Sequence, residues 1–349
     1  MSKWYEKSGA EGDVVIGTRI RFVRNLSGFA FPARMSKPDR RTLAQRVAET
    51  AGNCAQAYGF QFLNMEEISK TQAVSLVERY LASPEFISEP DGRGMLLTED
   101  ESFSIMLNGE NHLTIQAITE GLDLQQAYQM ADQLDTILER SLHFAFDEAL
   151  GYLTQNPVDL GTGMRASLIL HLPAMQDGGG IARVSGSLSK LGLSLRGIYG
   201  SGTASKGAVY QLSNQVTLGL SEQEALANLQ SIALQVIRQE RAARTELGKR
   251  LDVQDTVSRS LGILQSAKLM TNEEFMGLIS NVRFGVAQGF FEKISYSTIN
   301  KLIIVAQPAT LALYSGKKLT ANERHLLRAQ TVQNLLKADD LYGATDTEQ

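Results

Sequence analysis

Apolar residues recur at three- and four-residue steps through Leu124, Tyr128, Ala131, Leu134, Leu138, Leu142, Ala145 and Ala149. That spacing predicts one long amphipathic helix over about 124–153. Shorter helical patterns cover 36–58, with Leu43, Val47 and Ala51 on one side, and 69–81. Strand-like runs lie at 14–24, 94–98, 102–107, 112–117, 166–172, 193–198 and 208–212. An Asn-Gly pair at 108–109 between two of these runs signals a tight hairpin. The resulting meander predicts an antiparallel sheet, whereas a Rossmann fold alternates strands and helices. Ser221 with Glu224, Thr271 with Glu274, and Thr320 with Glu323 have capping-box spacing. The first starts a helix to about 250, and no strand pattern follows it. The expected class is α+β: residues 1–249 carry the sheet with its flanking helices, and 250–349 form an all-helical domain.

Two stretches carry candidate chemistry. The run N-P-V-D-L-G-T-G-M-R at 156–165 joins the long helix to a strand. Its glycines let backbone N–H groups approach an anion, and Arg165 adds a planar fork of donors. The plainer reading is a helix-to-strand turn that needs glycine for its geometry. In the 14–24 strand, Arg19 and Arg21 are two apart and share a face, which makes a plausible polyanion clamp. Its plainer reading is a solvated edge strand. The glycine-rich loop at 200–207 lacks the Gly-Lys-Ser/Thr ending of a phosphate loop and precedes a strand, so it reads as a lid or hairpin loop.

Composition narrows the partners. The formal charge of −4 over 349 residues gives no basic field for nucleic acid. No run is long and apolar enough to cross a membrane, and the N-terminus has no signal-like core. Cys54 is the single cysteine, so no internal disulfide is possible and a cytoplasmic setting is expected. His112, His143, His171 and His325 lack metal-ligand spacing, so no metal site built from protein ligands is expected.

From residue 4 to about 336 the chain resembles the ATP:guanido phosphotransferases, in particular their bacterial protein-arginine kinase branch, which phosphorylates arginine side chains in proteins. The family's S-x-R-x-R motif stands as Gly17, Thr18, Arg19, Ile20, Arg21. Its N-E-E-D-H-x-R stands as N-G-E-N-H-L-T at 108–114. Its C-P-T-N-x-G-T loop with R-A-S stands as 156–167, ending in Arg165, Ala166 and Ser167. Its R-G-x-x-G-E stands as R-G-I-Y-G-S, beginning with Arg196 and Gly197. Its R-D-x-x-R-A phosphoarginine motif stands as R-H-L-L-R-A, with Arg324 and Arg328 four apart on one helix face. For those two the plainer reading is a solvated helix face.

The resemblance implies a phosphagen-kinase-like fold and ATP with Mg²⁺ at Thr18, Arg19, Ile20, Arg21, Arg165, Ala166, Ser167, Arg196 and Gly197. It also implies an anion at Arg324 and Arg328. Phosphoryl transfer to a delocalised guanidinium needs carboxylates to hold the group and take a proton, while arginines cradle the phosphates. The phosphate side survives in part, with Tyr80 and Thr114 replacing a family histidine and arginine. On the guanidinium side Gly109, Asn111, Asn156, Ser201 and Ala204 stand where the family has carboxylates or cysteine. Only Glu110 remains as a catalytic candidate, and an exposed turn glutamate is its plainer reading. The expectation is a degenerate kinase with a regulatory or binding role, partnered by an active paralogue or a Clp-type protease system. The alternative is an active protein-arginine kinase using Glu110 on arginine-containing proteins. A homodimer is compatible with either.

Overall fold

A computed structural model describes residues 2–198 and 205–342, with side chains as far as Asp339. Its strands are β1 (Val15–Arg24), β2 (Gln61–Asn64), β3 (Gly94–Leu97), β4 (Phe103–Leu107), β5 (Leu113–Glu120), the short pair β6 (Phe146–Asp147) and β7 (Gly151–Tyr152), β8 (Met164–His171), β9 (Leu193–Gly197) and β10 (Val209–Asn214). Eight of them form one sheet in the order β2-β3-β4-β5-β1-β8-β10-β9, and every neighbouring pair is antiparallel. β1 lies inside the sheet between β5 and β8, so the solvated-edge reading of its arginines does not hold.

The helices are α1 (Lys37–Cys54), α2 (Lys70–Glu78), α3 (Pro84–Ser88), α4 (Leu124–Leu142), α5 (Pro173–Asp177), α6 (Gly180–Lys190), α7 (Glu222–Leu247), α8 (Leu251–Ser266), α9 (Asn272–Ala287), α10 (Tyr296–Val305), α11 (Pro308–Ser315) and α12 (Ala321–Tyr342). Ser221 and Glu224 form a reciprocal capping box, and so do Thr320 and Glu323. Thr271 caps α9 one way only, accepting from the Glu274 N–H.

Two expectations fail locally. The helix expected over 124–153 ends at Leu142, because His143 takes a left-handed conformation (φ 54°). Asp147 Oδ1 then accepts from the N–H groups of Ala149 and Leu150, which sets the turn between β6 and β7. Ala145 and Ala149 continued the helical spacing by coincidence. The Asn-Gly pair does not make a two-residue hairpin either. Five residues, 108–112, join β4 to β5, and the Asn108 N–H closes the loop on the His112 carbonyl.

Strand alternation splits the sheet into two faces. Ile20, Phe22, Ala166, Leu168 and Leu212 pack against α1, α4, α6 and α7 in one core. On the other face Met106, Ile118, Ile169 and Val209 join Trp4, Tyr5 and the apolar faces of α9, α10 and α12. The C-terminal helices therefore share a core with the sheet.

His171 sits at this seam, fully buried, between Arg244 and Ser280. Arg244 can only donate, so Nδ1 accepts from its Nη2 at 3.3 Å and Nε2–H donates to Ser280 Oγ at 2.9 Å. Burial, and then the charges of Arg244 and Arg283, hold its pKa well below the ordinary 6.5. The unfolded chain takes up this proton near pH 6.5 while the folded chain does not, so the stability is present above that pH and lost below it. The expected slope is about 1.4 kcal/mol per pH unit. Urea unfolding at stepped pH will show stability falling below about pH 6.5, and the fall will be shallower in His171→Gln. His112, also pushed down by burial, supplies a remainder of the same sign. Equal slopes in the two proteins would count against this assignment.

Candidate active-site cleft

The second face of the sheet carries the polar cleft. Arg19 lies opposite Ser167 and Arg21 opposite Arg165 across the β1–β8 ladder, and Arg21 also faces Gln116 on β5. One cavity, of about 570 Å³, is lined by Arg19, Arg21, Tyr80, Gln116, Arg196 and Gln211 among others. A second, of about 710 Å³, is lined by Arg21, Arg40, Arg93, Glu110 and Arg165 among others. Arg21, Ser83 and Met106 line both, so the two adjoin.

The four arginines expected at the phosphates are in different states. Arg19 is buried and already engaged, its Nε donating to Ser167 Oγ at 3.3 Å and its Nη2 to Gln211 Oε1 at 2.8 Å. Burial, and then the charge of Arg21, push its pKa below the ordinary arginine value. A guanidinium still stays protonated near neutral pH, so this tension favours uptake of an anion. The buried Nε of Arg21 has no hydrogen-bond partner. Arg165 gives Nε and Nη2 to Asp159 Oδ1, at 2.8 and 2.7 Å. Arg196, on the edge strand β9, is exposed at the mouth of the smaller cavity.

Alternation divides the side chains of the expected nucleotide set between the two faces. Thr18, Ile20 and Ala166 point to the opposite face. Ile20 and Ala166 are in the core against α4, and Thr18 Oγ1 donates to the Gly121 carbonyl. Ser167 is on the cleft face as the acceptor for Arg19, and Gly197 lines the smaller cavity. Tyr80 lines it too, with φ 64° just beyond the end of α2. Asn272, Gln307 and Pro308 complete the wall from the C-terminal helices, a contribution that no local pattern signals. Glu78 supports that wall, accepting from the N–H groups of Ala309 and Thr310 at the start of α11.

On the guanidinium side, Glu110 is exposed and lines the larger cavity. Asn111 is buried, and its Oδ1 accepts from Asn25 Nδ2 at 2.7 Å and from the Gln155 N–H at 2.9 Å. Asn156 Oδ1 accepts from the Val158 N–H at 3.2 Å and caps the turn at 157–159. Ser201 and Ala204 lie outside the described residues. Arg40 and Arg93, which sequence reasoning passed over, line the larger cavity together with Gly109.

The C-terminal pair does not share an open face. Arg328 is 1% exposed, with Nε donating to the Ala306 carbonyl and Nη1 to the Met270 carbonyl. Arg324 is half-buried and donates to the Leu319 carbonyl.

An antiparallel sheet with arginines converging on one face is the architecture of a phosphagen-type kinase. Residues 42–243 match the C-terminal catalytic domain of the ATP:guanido phosphotransferases, and residues 250–346 match the protein-arginine kinase McsB C-terminal domain. The chain is 43% identical over 343 residues to a protein-arginine kinase of Symbiobacterium thermophilum, covering 97% of both. It is 41% identical over 342 residues to one of Desulforamulus reducens, covering 97% of this chain and 96% of that one. Among solved structures, the duplicated taurocyamine kinase of Schistosoma mansoni with bound transition state analog components superposes with a TM-score of 0.59 at 27% identity. That match covers 66% of this chain and a third (33%) of the other. Lombricine kinase, at 22% identity and a TM-score of 0.57, covers 70% of each and shares the fold. The chain belongs to the ATP:guanido phosphotransferase family, on its protein-arginine kinase branch.

Proposed function

We propose that this chain is a pseudokinase of the protein-arginine kinase branch, holding nucleotide in the smaller cavity and serving a binding or regulatory role. One observation carries the reading. Gly109, Asn111 and Asn156 offer no acid or base where transfer to a guanidinium needs one, and both asparagine oxygens are committed to neighbouring N–H groups. Arg19, Arg21 and Arg196 fit the phosphates of ATP, the unpartnered Nε of Arg21 above all. Magnesium would arrive with the nucleotide, held by its phosphates, and would neutralise part of their charge. Among the described residues no group of three or more His, Cys, Asp or Glu side chains could hold a metal on its own.

The division near residue 250 into a catalytic-type part and a helical part belongs to this proposal, as does a cytoplasmic partner such as an active paralogue or a Clp-type protease system. No helix among the described residues is long and apolar enough to cross a membrane. A second reading keeps the chain an active kinase acting on protein arginines, and the place of Glu110 on the cavity shared by Arg21 and Arg165 favours it.

Arg196→Gln tests the nucleotide half. The side chain is exposed and donates no hydrogen bond among the described residues, so its loss will leave the melting temperature unchanged. Removing one charge-assisted contact will weaken ATP binding in calorimetry about tenfold. Undetectable ATP binding by the unmodified chain at millimolar nucleotide would reject the nucleotide half outright.

A further inference from the structure

The larger cavity is lined by charges of both signs, its carboxylates being Glu85, Glu89, Glu110 and Asp159. Four arginines line it: Arg21, Arg40, Arg93 and Arg165. Arg165 is paired with Asp159, and Arg93 donates to the carbonyls of Asn108, Glu85 and Phe86 and, at 3.4 Å, to Glu89. Arg21 and Arg40 make no side-chain hydrogen bond or ion pair among the described residues, and the Nε of each is buried without a partner. Such donors are expensive to leave unmade inside a protein.

The fold holds these charges in place. Asn108 Nδ2 donates to the Arg40 and Gly92 carbonyls, and Arg93 Nε donates to the Asn108 carbonyl. This ties the first turn of α1 and the 92–93 turn to the loop that carries Gly109. A side chain on Gly109 would meet the Phe86 ring at 3.3 Å, and with hydrogen there no carboxylate projects at that point. The carboxylates left unpaired, Glu85 and Glu110, are both exposed on the cavity lining. Burial lowers the pKa values of both Arg93 and Arg21; Arg40 adds to this at Arg93 against the larger opposing charge of Glu89, and Arg165 adds to it at Arg21 against Asp159 and Glu85.

We propose that this cavity is an oxyanion receptor, taking a phosphate group between Arg21 and Arg40 at the place where an arginine-phosphorylating relative would hold a guanidinium. The phosphate is either a free ion or one borne on a side chain. Phe86, Met106 and Val23 line the same cavity and suit the apolar stem of a phosphorylated side chain. The proposal extends the loss of transfer chemistry but does not depend on nucleotide binding.

The test is calorimetric titration of the full chain, free of nucleotide, with inorganic phosphate, O-phosphoserine and arginine. Saturable phosphate binding that weakens with added salt is expected, with arginine giving no competition. Arg40→Gln will weaken phosphate about tenfold or more, and Arg40→Lys will recover part of it. Gly109→Glu will weaken it as well, by restoring a carboxylate beside the arginines. Arg196→Gln, outside this cavity, will leave phosphate binding unchanged while lowering ATP affinity, so failure here and failure of the nucleotide reading give different patterns. O-phosphoserine binding more tightly than phosphate assigns a phosphorylated side chain, and equal affinity assigns the free ion. Phosphate binding untouched by Arg40→Gln places the anion in the nucleotide's own phosphate positions and overturns the proposal, as does competition by arginine or the absence of saturable binding.

Discussion

Incubated with ATP, magnesium and an arginine-rich protein, this chain will leave no phosphoarginine above background, at least about 10⁴-fold below an intact relative, as read by mass spectrometry. Loss of one general base or positioned electrostatic group costs roughly 10²- to 10⁴-fold in rate. Here several positions are empty of such groups together, and although their effects do not add, none can stand in for another's proton transfer. A guanidinium must lose its proton to become a nucleophile, and an amide oxygen such as those of Asn111 and Asn156 is no base for that task. Arg165 adds a second obstacle, because its fork is already closed on Asp159 and an incoming phosphate must displace that carboxylate. Strong labelling that disappears in Glu110→Gln would falsify the pseudokinase reading and establish the active alternative.

Arg328→Ala will destabilise the chain by on the order of 3–5 kcal/mol, the sum of two buried carbonyls left without donors and a cavity where the long side chain lay. The guanidinium bridges the carbonyl of Ala306, at the end of α10, to that of Met270, before α9, and so joins α12 to two neighbours. Burial, and then the charge of Arg324, draw its pKa down to about 10 against the opposing charge of Glu78. Arg324→Ala, which removes one partly exposed contact, will cost under about 1 kcal/mol. Urea midpoints with slopes for both variants decide the matter. A stable Arg328→Ala protein that has lost only anion binding would return the pair to the role the motif resemblance gives it.

Much of the fold was legible because its periodicities are local. The β4–β5 meander, the helix beginning at Leu124 and the capped start of α7 follow from alternation, three-four spacing and serine-glutamate pairs acting over a few residues. The same local rule ran past Leu142, because only the left-handed turn at His143 and the Asp147 turn distinguish the hairpin from further helix. Strand alternation likewise put Arg19 and Arg21 on one face. Applied residue by residue, it also turns the side chains of Thr18, Ile20 and Ala166 away from the cleft, which a motif read as a block ignores.

The sequence by itself determined the family, and it determined that positions 109, 111 and 156 carry no acid or base, because that depends on which atoms a side chain contains: glycine and asparagine cannot take up a proton wherever they lie. What those side chains touch was decided only by tertiary structure. Arg24 lies inside, donating to Asp135 and stacked 3.5 Å from the Tyr152 ring centre, although it stands in the same strand as the cleft arginines. Arg324 and Arg328 are one helical turn apart, yet the packing of α12 on α8, α10 and α11 buries the second and leaves the first half-open. Arg40 and Arg93, separated by 53 positions in the chain, meet beside Gly109 through hydrogen bonds to Asn108. A charge's partners are set by distances in space, and those distances are fixed here by contacts between elements far apart in sequence.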